Sequence, residues 1–174
     1  TLTGDDQNST WILTGGTGSV AVAGANLAFT DFDSLVGGTA NDTFNINSNT
    51  TVDITTDAAT GGTGVDAVTV DANVTLTLST DLLLGEGNDA VTINAGGSID
   101  GNVSGEAGTD TFTLNDGATI AGDVDGGADV DILDFGNYAT ARDITLTAAD
   151  TDGFDGTEAA ITGGNSFPNI DTIT

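Results

Sequence analysis

The sequence predicts an all-β fold, a right-handed parallel β-helix with coils of about 21–24 residues. Three observations carry that reading. A Gly-rich segment ending in Asp-x-apolar-x-apolar recurs at 37–46, 61–70, 84–93, 105–114 and 126–135. Its anchoring residues, Asp42, Asp66, Asp89, Asp110 and Asp131, are 24, 23, 21 and 21 residues apart. Two residues after each Asp stand Phe44, Val68, Val91, Phe112 and Leu133, and four after it stand Ile46, Val70, Ile93, Leu114 and Phe135. Both columns are apolar and the residue between them is polar, the period of a half-buried strand. Gly, Asn and Asp fill the gaps as turn formers.

Along the chain, this pattern divides residues 1–174 into one solenoid segment. The first coil spans about 15–36 and is degenerate, with Val20 where the other copies have Asp. Coils follow at about 37–60, 61–83, 84–104, 105–125 and 126–137. Ile99 and Val103 recur as Ile120 and Val124, supplying two further short inward segments per coil. Asn47, Asp71, Asn94 and Asn115 form a polar column suited to a hydrogen-bonded corner. Residues 138–166 break the register and read as an insertion, and 167–174 read as the start of a following unit. Gly density and period-2 runs exclude helical repeats. About eight coils at one strand spacing each would make a rod roughly 38 Å long. Right-handedness is expected because right-handed crossovers dominate parallel connections.

Composition narrows the partners. The 174 residues carry 27 Asp plus Glu against one Lys or Arg, a net charge of -26. Such a chain cannot neutralise phosphates, so nucleic acid and anionic membrane surfaces are excluded as direct partners. Divalent cations are the natural counterparts. With no His and no Cys, only hard oxygen ligands are on offer, the chemistry of Ca2+. No apolar run of about 18 residues exists to span a membrane as a helix. No basic and apolar leader opens the chain, so any secretion signal is expected outside it.

The Gly-Gly-x-Gly-x-Asp-x-apolar signature of the five copies resembles the repeats of large secreted bacterial adhesins and of RTX-type or haemagglutinin-like surface proteins. The resemblance implies secretion to the bacterial cell surface, a stalk or matrix role, and often calcium dependence. Here one copy occurs per coil, whereas the calcium rolls of RTX proteins repeat the motif without a gap. Two readings therefore stand for the Asp column: bridging Ca2+ between stacked carboxylates, or capping of local turns.

A second candidate is the acidic run Asp150, Asp152, Asp155 and Glu158, four carboxylates around two glycines, which is either a calcium loop or a solvated acidic loop. An enzyme of the polysaccharide-cleaving β-helix type is a remote alternative, because Trp11, Tyr138 and Arg142 are far apart in the sequence. The expected function is a non-catalytic structural segment that assembles end to end. Its rival is a calcium-responsive S-layer or RTX domain. Residues 29–35 and 167–173 share a Phe-x-x-aromatic/Ile-Asp-x-apolar pattern at an offset of 138. With strand-like termini, this points to Leu2, Ile170 and Ile173 as the assembly interface, joining copies of the chain or tandem repeats.

Overall fold

The computed structural model describes residues 1–15, 17–22, 25–57, 63–149, 151–161 and 166–174. It is a parallel β-solenoid, with no helix among the described residues. Each coil contributes a short strand to up to three faces. The first face stacks Leu2–Thr3, Ser34–Gly38, Asp53–Asp57, Leu82–Leu83, Val103–Ser104 and Val124–Asp125. The second stacks Ser9–Thr14, Asp42–Ile46, Ala67–Val70, Ala90–Ile93, Thr111–Leu114, Ile132–Asp134 and Thr172–Ile173. The third stacks Thr50–Thr51, Thr75–Thr77, Ser98–Asp100 and Thr119–Ile120.

The apolar columns become ladders because parallel pairing puts identical positions of successive coils side by side. On the second face Trp11, Phe44, Val68, Val91, Phe112, Leu133 and Ile173 are consecutive partners. Leu13, Ile46, Val70, Ile93 and Leu114 form the parallel ladder beside them. The first face adds Leu35, Ile54, Leu82, Val103 and Val124, and the third adds Leu76, Ile99 and Ile120. All but the half-buried Ile173 are buried in one continuous core. At its wide end the core turns aromatic, with Trp11 stacked on Phe44 at 5.3 Å and 9°.

Turn chemistry fixes the corners. After the second face, the N–H groups of Val74, Gly97 and Ala118 bond the carbonyls of Asp71, Asn94 and Asn115. The third residue of each turn, Asn73, Gly96 or Gly117, takes φ of +59°, +70° or +76°. Only Gly and Asn accept that conformation readily, so the corner column and its Gly have one cause. The side chains also reach across coils: Asn115 Nδ2 donates to Ile93 O at 3.1 Å, and Asn137 Nδ2 donates to Asn115 Oδ1 at 2.9 Å.

Three expectations need correction. Residues assigned to a first coil at 15–36 instead form Thr17–Val22 and Ala25–Thr30, two antiparallel strands extending the second face beyond Ser9–Thr14. Alternation of period 2 is the same in parallel and antiparallel strands, so the pattern alone could not tell them apart. The stack is also shorter than eight coils, with about four turns and four levels carrying all three faces. Finally, Thr172–Ile173 is the last strand of this same second face. Within 138–166, Thr145–Ala149 and Phe154–Thr157 pair antiparallel, and Ser166–Ile170 joins them as a third strand.

Truncating a middle rung tests the ladder. Phe112→Ala should lower the unfolding free energy by about 3–5 kcal/mol in a denaturant titration, the cost of a large buried cavity. A loss below 1 kcal/mol would contradict the close-packed stack.

Candidate functional site

The five signature aspartates lie just before or at the start of the second-face strands, where the chain bends in from the first face. At this bend the Asp N–H meets no carbonyl of the neighbouring coil, and a backbone donor inside a protein needs an acceptor. The next coil supplies one from its side chain. The N–H of Asp42 donates to Asp66 Oδ1 at 2.6 Å, that of Asp66 to Asp89 Oδ1 at 2.7 Å, that of Asp89 to Asp110 Oδ1 at 2.8 Å, and that of Asp110 to Asp131 Oδ1 at 2.8 Å. The column is thus a run of identical cross-coil hydrogen bonds.

Two further residues complete it. Ser9 occupies the first position and gives both its N–H, at 2.8 Å, and its hydroxyl, at 2.5 Å, to Asp42 Oδ1. Asp171 occupies the last, its Oδ2 accepting from the Asp131 N–H at 2.9 Å. The Gly-based signature misses both because neither follows a Gly pair at the usual distance. The signal that identifies them is the bare spacing, since Ser9 precedes Trp11 and Asp171 precedes Ile173 by two residues, as Asp42 precedes Phe44.

The glycines of the signature make room for these carboxyls. A Cβ on Gly37 or Gly105 would collide with the Oδ2 of Asp42 or Asp110 and with a backbone oxygen of the next coil, Thr56 O or Gly126 O. Gly108, at φ +131°, packs its Cα on the Gly87 carbonyl too closely for any side chain. The motif therefore encodes close backbone approach around an inward carboxyl.

Each carboxylate caps the coil before it through Oδ1, which corrects the expectation of a cap on a local turn. The five aspartates are no more than 2% exposed. Oδ2 of Asp42, Asp110 and Asp131 is buried with no hydrogen-bond partner among the described residues. Burial pushes the Asp42 carboxyl up to about 6, against the lowering effect of the Ser9 hydroxyl and N–H and with the raising charges of Asp66 and Asp5. Burial likewise raises Asp110 to about 7 and Asp131 to about 6, each opposed by the N–H it accepts and reinforced by neighbouring aspartates. Asp66 is raised for the same first reason. The carboxyls of Asp42, Asp110 and Asp131 thus hold protons through the mildly acidic range.

The acidic run is described at three of its four carboxylates. Asp150 lies outside the described residues. Glu158 is buried, paired with Arg142, and accepts the Ala160 N–H at 2.5 Å. Arg142 in turn lies 4.2 Å over the Tyr138 ring and 5.5 Å from that of Phe135. Asp155 Oδ1 accepts the Asn169 N–H at 3.4 Å. Among the described residues no three acidic side chains converge as a metal site. Of the expected interface residues, Leu2 and Ile173 are half-buried in the outermost strands of their faces. Ile170 is fully buried opposite Phe154, so a partner could not reach it.

No family model, curated protein or solved structure matches the chain.

The raised carboxyls set the sign of the pH dependence. Each binds its proton more tightly folded than unfolded, so its contribution is complete below about pH 4 and is lost as pH rises through about 6 to 7. Melting temperature should therefore fall from pH 4 to pH 7.5. Asp110→Asn keeps an acceptor for the Asp89 N–H and should flatten that slope. Asp110→Ala removes the acceptor and should cost about 1–3 kcal/mol at every pH. Stability that rises over this interval would contradict a proton-holding column.

Proposed function

We propose that this chain is a non-catalytic structural segment of an extracellular bacterial adhesin, biofilm-matrix protein or surface filament, joined end to end with copies of itself or with tandem repeats. One observation carries the reading: the same coil, with the same apolar rungs and the same Asp-to-N–H bond, is stacked without a break. Such a module spends its sequence on length and stiffness. Its surplus negative charge keeps neighbouring rods solvated and apart. The likeness of its Gly-Asp signature to surface-protein repeats supports the extracellular setting.

The residues that would serve a carbohydrate-cleaving site support no shared cleft. Trp11 is buried in the core near the first strands, while Arg142 and Tyr138 stack on each other near the last. The calcium-responsive alternative is disfavoured by what its ligands already do. Asp column oxygens accept backbone N–H groups, and Glu158 neutralises Arg142.

Circular dichroism and thermal melting in EDTA and in millimolar Ca2+, both at physiological salt, separate the scaffold from an ion-triggered fold. The scaffold should keep its β-sheet spectrum in EDTA, with a melting shift of only a few degrees on adding Ca2+. Unfolding in EDTA that Ca2+ reverses would establish the calcium-responsive reading instead.

A further inference from the structure

We propose that the outward side of the second face is an interface, and that a second copy of this chain packs against it sheet on sheet. The proposal goes beyond the scaffold reading, which joins copies along the rod, and names a lateral contact between rods.

Charge is the first argument. Along each second-face strand the residues that alternate with the buried rungs point away from the core, and parallel pairing lines them up in columns. One column reads Ile12, Asn45, Thr69, Thr92, Thr113 and Asp134. The column beside it, from Thr10 to Ile132, holds only Thr, Ala and Ile. The antiparallel strands continue both with Ser19, Ala21, Asn26 and Ala28. Asp134 is thus the one carboxylate in these columns, although the chain carries 27 acidic residues. The first face, by contrast, turns Asp53, Asp81, Asp123 and Asp125 outward. Copies meeting there would set carboxylate against carboxylate. Copies meeting through the second face keep those charges away from the contact, beyond the screening length of about 8 Å at physiological salt.

Area is the second argument. From Ala25–Thr30 to Ile132–Asp134 the sheet has eight strands. At about 4.8 Å between strands and about 17 Å of strand length, they present about 650 Å² on each copy. Two such faces would bury about 1,300 Å² in all, within the range of about 1,200–2,000 Å² found for stable specific interfaces. The third face also turns a single carboxylate outward, Asp100, but its four strands of two or three residues offer only about 150 Å². It is too small to hold a partner. Side-chain shape agrees with the choice, because Thr, Ala, Ser and Asn are short and let a facing sheet approach closely. Apolar contact is available as well. Ile12 is 38% exposed, and Val65 and Val130, each two residues before the outward Ala67 or Ile132, are 54% and 52% exposed. The contact uses the same patch on both copies, and each copy has one such patch, so association closes at a dimer.

Sedimentation equilibrium of the whole chain, over a wide range of concentration and salt, provides the test. The variants are Thr92→Asp, in the middle of the second face, and Thr77→Asp, on the outward side of the third. Both add the same charge at an outward position, and circular dichroism confirms that each is folded. The unmodified chain should dimerise, more tightly as salt screens the remaining repulsion. Thr92→Asp should raise the dimer dissociation constant by about tenfold or more, because each copy then buries an unpaired carboxylate in the contact. Thr77→Asp should leave that constant nearly unchanged. The proposal is overturned if the folded, unmodified chain stays monomeric at high salt, if Thr92→Asp associates as tightly as the unmodified chain, or if Thr77→Asp weakens association equally.

Discussion

The hydrogen bond from an aspartate N–H to the aspartate carboxyl of the next coil is the constraint on which the stack depends. Parallel strands of two to six residues carry little register information of their own, and a slip of one residue would turn every apolar side chain outward. A buried bond made at the same residue of each coil removes that freedom. Because the carboxyl sits two positions before the first inward side chain, satisfying it sets the phase of the strand that follows. Phe44, Val68, Val91, Phe112 and Leu133 then line up as one ladder despite coil lengths that vary from 21 to 24 residues.

The same device sets a chemical conflict inside the core. Stacked carboxylates about 4.8 Å apart repel one another, and burial raises that repulsion by weakening the dielectric screen. The chain answers with N–H donors to one oxygen of each carboxyl, while burial pushes the carboxyls of Asp42, Asp66, Asp110 and Asp131 toward their neutral form. Glycine is the other half of the answer. At Gly105 and Gly108 it removes the side chains that would keep the carboxyl and the preceding coil apart.

Much of this was legible in the sequence. The two apolar columns predicted the ladders rung by rung, because a parallel stack compares each position only with its counterpart one coil away. The aspartates were recognised as special, yet their partners were not, since a bond between a side chain and a backbone 21 to 24 residues distant leaves no local trace. Residues 15–36 deceived for a different reason: Gly18, Val20 and Val22 copy the coil pattern, but pairing sense is a tertiary property. The offset of 138 between Phe29 and Phe167 marked a real likeness of another kind. Each ring covers a glycine on an adjacent antiparallel strand, Gly18 and Gly156, which are themselves 138 residues apart. The partner of Glu158 was not legible either, because nothing near it in sequence announces that Arg142 will claim it.

The pairing of Arg142 with Glu158 has a consequence for proteolysis. Arg142 is the only Lys or Arg in the 174 residues, so an endopeptidase that requires a basic side chain has a single bond to attack in this stretch. The guanidinium it must grip is 18% exposed, clamped by Glu158 and laid against Tyr138. Cleavage by trypsin-like enzymes therefore waits on the opening of this corner. A segment built to hold length outside a cell would thereby be closed to one large class of degradative enzyme by composition, and at its one vulnerable residue by packing.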